Sequence, residues 1–179
     1  LLFDDFSDPA SGWAEESDEE RVQGYRDGAY FISVTAADWI VWDTAGYNFD
    51  DFALQVDVLQ SAGDPDNAYG LFFRYLDGDN FYRFAIDGDR FFSLFKQEGG
   101  EWSPIVDWRE SAFLNPMGEW NRLRVVCQGS QITLYANDDE LISVTDDAFD
   151  QGDVGLFAGA YEVPEVEAVF DNLWVTGGS

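Results

Sequence analysis

The sequence predicts an all-β domain, a sandwich of two antiparallel sheets. Three observations carry that prediction. Apolar residues recur with a period of two, as in Phe52, Leu54, Val56 and Val58 against Ala53, Gln55 and Asp57. Turn residues punctuate most of the chain every ~8–12 positions. No stretch carries the 3.6-residue apolar stripe of a helix.

The elements follow in order. Residues 3–6, Phe-Asp-Asp-Phe, read as a short first strand, and residues 7–12 as a loop closed by Trp13. Residues 15–20 are an acidic run, expected in a solvated loop. Residues 28–35 alternate Tyr30, Ile32 and Val34 with Phe31 and Ser33, a strand. Residues 39–42 form another, placing Trp39 and Trp42 on opposite faces, so that one is free to be surface. After the strand at 52–58 and an acidic Gly/Pro loop comes the most informative stretch, residues 67–87. Two aromatic runs there flank Leu76-Asp77-Gly78-Asp79, a hairpin signal. Each run holds one arginine, Arg74 and Arg83, among apolar neighbours, and a charge inside a buried strand needs a partner or a ligand. Strands follow at 90–96 and 101–108, then an irregular connection with Pro116. Residues 119–128 and 131–137 pair across Gly129-Ser130, and strands at 140–145, 154–160 and 166–176 close the chain. Nothing in the composition divides the sequence, so residues 1–179 are expected to form a single β-sandwich domain.

Composition excludes several functions. Of 179 residues, 17% are aromatic, which supports a packed core rather than disorder. Thirty-six acidic residues against nine basic ones give a net charge of -27, which disfavours nucleic acid and anionic membrane surfaces as partners. The acidity serves solubility, or adaptation to salty or calcium-rich surroundings. Histidine is absent, which removes Ser-His-Asp and Cys-His machinery and imidazole zinc sites. Cys127, the only cysteine, is expected in the core. No apolar run reaches transmembrane length, so this segment inserts in no membrane as a helix.

Several pieces of the chain carry a family resemblance. Residues 49–58, the run Asn67-Ala68-Tyr69-Gly70-Leu71-Phe72-Phe73-Arg74, the run Gly118-Glu119-Trp120-Asn121, Gly152-Asp153-Val154-Gly155-Leu156 and Val169-Phe170-Asp171-Asn172-Leu173 fall in a familiar order. Together they resemble the concanavalin A-like jelly-roll sandwiches, and most of all the bacterial 3-keto-disaccharide hydrolase group, with laminin-G-like binders and lectins as relatives in shape. The resemblance implies a jelly roll whose concave sheet holds sugar, at a cell surface or outside the cell. It also implies a structural calcium near the chain ends, where Asp4, Asp5 and Asp171 match the expected places.

The expected ligand-binding residues are Arg74, Arg83, Trp42, Tyr75, Trp102 and Trp108. If the two strands of the hairpin are neighbours, both guanidinium groups can share one face. Their forks suit hydroxyl or carboxylate recognition, and nearby rings suit stacking on sugar C–H faces. The plainer reading of the arginines is an ion pair with Asp57 or Asp87. For Trp102 and Trp108 an ordinary core role weighs equally, and Trp120 is expected in the core. No catalytic residue is assigned. Glu16-Ser17-Asp18-Glu19-Glu20 has the letters of the Glu-x-Asp-x-Glu motif of family 16 glycosidases, but lies in an acidic loop with polar x positions, so it is a chance match. The expected role is therefore non-catalytic binding of a glycan or a surface partner. An enzyme of the 3-keto-disaccharide hydrolase type and a structural, adhesion or filament subunit are the alternatives.

Overall fold

A computed structural model describes residues 1–177 of the chain; residues 178–179 of the expected domain lie outside the described residues. It contains strands and no α-helix. The first are β1 (Leu2–Asp4), β2 (Glu16–Ser17), β3 (Arg21–Arg26), β4 (Ala29–Val34) and β5 (Trp39–Thr44). Next come β6 (Phe52–Gly63), β7 (Ala68–Asp77), β8 (Asn80–Ile86), β9 (Phe91–Glu98) and β10 (Glu101–Glu110). The last are β11 (Asn121–Gln128), β12 (Gln131–Ala136), β13 (Asp139–Thr145), β14 (Asp153–Ala160) and β15 (Val166–Gly177).

These strands form two antiparallel sheets, the expected jelly-roll sandwich. One sheet has six strands, in the order β10-β9-β8-β7-β14-β5. The other has nine, in the order β13-β12-β11-β6-β15-β4-β3-β2, with β1 also paired to β15. Period-two side chains explain the layering. Leu54, Val56 and Val58 of β6, with Leu123 and Val125 of β11, face inward from the nine-stranded sheet. They meet Tyr69, Leu71 and Phe73 of β7, Tyr82 and Phe84 of β8, and Leu156 of β14, all fully buried. Cys127 lies in this core, where burial pushes its thiol up to about 12, so it is inert at neutral pH.

Three expectations need correction. Residues 15–20 are not only a solvated loop. Glu16–Ser17 pairs with Arg21–Arg26, and the latter continues the sheet beside β4. Gln23 and Gly24 occupy the buried positions of β3, so no apolar alternation marked it. Trp120 is not core; it precedes β11 and is 45% exposed. The third concerns Arg74. Period two from Phe72 would turn Arg74 outward, but the β7–β14 register shifts between Phe73 and Tyr75, and the β7–β8 register between Phe73 and Asp77. Arg74 has φ 46°, the mark of a bulge residue. Gly152 lies against the bulge; a Cβ there would sit 2.3 Å from the Arg74 carbonyl carbon. The bulge sends the Arg74 side chain into the end of the sandwich, and Tyr75 takes the outward place.

Candidate functional site

The outer face of the six-stranded sheet carries a second apolar cluster, separate from the core. Ala68, Phe72, Phe81, Ala85 and Phe157 form it, all buried although no further layer covers them. Ile40, Trp42, Tyr75 and Trp108 pack around it. Phe72 stacks on Phe81 at 4.3 Å and on Phe157 at 4.9 Å between ring centroids. Trp42 and Tyr75 flank Phe72 at 5.9 and 6.4 Å.

A hollow of about 240 Å³ opens at one side of this face. Its floor is Ala68 and Gly159, register partners across β7 and β14. A methyl group beside a glycine leaves the space that bulkier residues would fill. Trp39, 48% exposed, and Trp102, 43% exposed, line it with Ile40, Ala160, Asp38 and Tyr161. Asp38, at φ 55°, is held by its own N–H, which donates to the Tyr161 carbonyl at 2.9 Å.

Arg83 also lines the hollow. Its position opposite Phe72 on β7 and Phe95 on β9 puts it on the outer face. The guanidinium lies 4.6 Å from the centre of the Trp102 ring, with Phe95 and Phe157 at 5.3 and 5.6 Å. Arg83 is 8% exposed, and its Nε has no hydrogen-bond partner. Burial pulls its pKa down, offset in part by the nearby Tyr161 phenol. Neither Asp57 nor Asp87 pairs with it: Asp57 accepts from Arg122 Nε at 3.0 Å, and Asp87 holds a turn.

Of the expected ligand-binding residues, Arg83, Trp42, Tyr75, Trp102 and Trp108 thus border one face. Arg74 does not. It donates to the carbonyls of Phe149 (2.8 Å), Gly129 (2.8 Å) and Asp50 (3.2 Å), and lies 3.8 Å from Asp51. It stitches loops at one end of the sandwich and has no access to ligand. Trp39, expected opposite Trp42, stands at the first residue of β5 and borders the same face. Asp38 and Tyr161 were missed by sequence reasoning; both lie in connections with no alternation to orient them.

Burial, and then the nearby charges of Asp57 and Asp5, raise the carboxyl of Asp171, one of the three aspartates expected to hold calcium. Asp4 accepts from the Phe6 N–H and from Trp13 Nε1 at 2.7 and 3.0 Å, and Asp5 accepts from Ser7. Among the described residues no group of three or more His, Cys, Asp or Glu side chains is placed to hold a metal ion. A structural calcium tying the chain ends would make chelation lower the melting temperature; no shift in fully demetallated protein would argue against that site.

Asp87 has a displaced pKa but a structural task. Its Oδ1 accepts from the N–H groups of Asp89 and Phe91 at 3.0 and 2.9 Å, which fixes the β8–β9 turn. Burial raises its carboxyl to about 6. A folded-state pKa above the unfolded one favours the fold at low pH, and that contribution is lost as pH rises through about 6. Asn keeps the Oδ1 acceptor without the charge. Asp87→Asn is expected to gain about 1–3 kcal/mol at pH 7 relative to its effect at pH 4, read from denaturant melts at both values.

The sequence decides the family: residues 1–176 match the family described as 3-keto-alpha-glucoside-1,2-lyase-like domain. The chain belongs to that family. No curated protein sequence matches it. Among solved structures, it resembles carbohydrate-binding module CBM66 from Bacillus subtilis, with 25% identity and a TM-score of 0.65 over 93% of this chain and 92% of that one. A Bacillus subtilis protein of unknown function with a galectin-like fold gives 0.75 at 13% identity, over 98% and 94% of the two chains. A Bacillus licheniformis beta-glucanase gives 0.71 at 10%, over 99% and 98%. The last two show the concanavalin A-like fold alone. No helix among the described residues is long and apolar enough to cross a membrane.

Proposed function

We propose that this member of the 3-keto-alpha-glucoside-1,2-lyase-like family is a non-catalytic carbohydrate-binding domain, and that its ligand sits on the outer face of the six-stranded sheet. The observation that carries the reading is the hollow between Trp39 and Trp102, with Arg83 beside it. Exposed indole faces suit the C–H faces of a sugar, and the guanidinium and Asp38 supply directional polar contacts. The volume is near that of one sugar ring, below the ~300–1,000 Å³ of pockets for drug-sized ligands. Similarity at 25% identity to a carbohydrate-binding module over nearly the whole chain supports it. Placement outside the cytoplasm, at a cell surface, belongs to the same proposal.

The family name favours a second reading, an enzyme acting on glycosidic bonds. Among the described residues Asp38 is the one carboxylate lining the hollow, short of the two used in glycoside hydrolysis by the usual route; a lyase's elimination, which needs a single base, would rest on Asp38.

A glycan array followed by titration calorimetry tests the proposal. Trp102→Ala and Trp39→Ala each remove a half-exposed ring and are expected to weaken binding about tenfold, near 1.4 kcal/mol; Trp39→Ala should leave the melting temperature unchanged, and Trp102→Ala should lower it modestly through its lost contact with Arg83. Full affinity in both variants would remove the hollow from consideration. Reducing-sugar release abolished by Asp38→Asn would establish the enzyme instead.

A further inference from the structure

We infer that the hollow is selective for a sugar carrying a carboxylate, a uronic acid residue, seated against the guanidinium of Arg83. This rests on the carbohydrate-binding reading and narrows it to one class of ligand.

The argument begins with the chain's cations. In a sequence with 36 acidic and nine basic residues, a guanidinium has carboxylates available on all sides. Arg21, Arg26, Arg74, Arg90, Lys96 and Arg122 each have one within 4 Å. Arg109 and Arg124 have none among the described residues but are exposed, where water suffices. Arg83 alone among the described cations is both buried and without a carboxylate partner. A buried charge without a counter-ion is costly, and a chain so rich in acid could readily have supplied one. The polar neighbour of Arg83 is instead the Tyr161 phenol, which leaves the charge without a counter-ion. Rings of Trp102, Phe95 and Phe157 hold the guanidinium by their faces, and its Nε is left without an acceptor. A planar fork held this way can present its edge to a planar carboxylate in two parallel charge-assisted hydrogen bonds. A neutral sugar would cover the same rings but leave the buried charge unneutralised. Asp38 lines the same hollow, where it can accept from ring hydroxyls.

The net charge of -27 opposes approach of any anion at long range, so affinity has to come from the local pair. Added salt screens the long-range repulsion more than a sheltered pair, so moderate salt should not weaken uronate binding as it weakens exposed ionic contacts.

The test is titration calorimetry on the intact chain with matched oligosaccharides: oligogalacturonate, its methyl ester, neutral galacto-oligosaccharide, and the gluco- and glucurono- pair. The expected result is at least tenfold tighter binding of the uronate than of its neutral counterpart, with the preference lost on methyl esterification. In Arg83→Met the preference falls to near one. Equal or tighter binding of the neutral sugars or the ester overturns the inference while leaving the carbohydrate reading in place. Preference for sulfated over uronate sugars overturns the carboxylate assignment. Failure to bind any of these and any glycan on an array overturns both.

Discussion

Arg74→Met is expected to destabilise the domain by about 3–5 kcal/mol, the loss characteristic of a broken buried charge network. Arg74 is fully buried, and its two terminal nitrogens bind the carbonyls of Phe149, Asp50 and Gly129. These acceptors come from three separate connections, so one side chain ties the β5–β6, β11–β12 and β13–β14 ends together. Asp51 reinforces the knot by accepting from the Gly129 N–H at 2.7 Å. Met fills much of the volume but leaves the carbonyls without these donors. Against a typical domain stability of ~5–15 kcal/mol, the loss would be plain in urea melts. Arg74→Lys should fall between, because one ammonium cannot span three acceptors so placed. Below its transition the Met variant should bind ligand as the natural chain does. A loss under about 1 kcal/mol would show that the knot is not a stabilising element.

Arg83→Met should do the reverse. Binding of the glycan is expected to fall at least tenfold, because a charged hydrogen-bond donor in a sheltered site contributes about 1.5–3 kcal/mol. Stability should change by less than about 1 kcal/mol or rise. No internal carboxylate among the described residues loses its partner, and the buried charge disappears. What offsets that relief is the cation–π contact with Trp102, worth about 0.5–2 kcal/mol. Two arginines nine residues apart in one hairpin thus have opposite signatures. One is expected to matter for folding and not for binding, and the other for binding and not for folding. A variant of Arg83 that unfolds, or one that folds and binds with full affinity, would contradict this division.

How much of this was legible in the sequence depends on whether local alternation or distant pairing decides each feature. The sandwich was legible because β6 and β11 carry their inward residues on a period of two, as do β7 up to Phe73 and β15 up to Phe170. The outward position of Arg83 was legible for the same reason, between Phe81 and Ala85. Arg74 was not. A single bulge residue after Phe73 shifts the phase, and nothing within β7 marks it; Gly152, far along the chain, packs against it. The short β2 and β3 were hidden because Gln23 and Gly24 fill the buried places of their edge. The hollow itself was invisible for want of register. Ala68 and Gly159 form a floor only once β7 and β14 are known to be neighbours, and Trp39 and Trp102 flank it from strands at opposite edges of the sheet.

The account turns on one claim, that ligand occupies the outer face of the six-stranded sheet at Arg83. A crystal structure of the chain with the tightest-binding glycan from the array tests it most directly. The account predicts a sugar ring in the hollow floored by Ala68 and Gly159, against the indoles of Trp39 and Trp102, with an oxygen within hydrogen-bond distance of the Arg83 guanidinium. Sugar density on the nine-stranded sheet or at the loop ends, with the hollow empty, would contradict it.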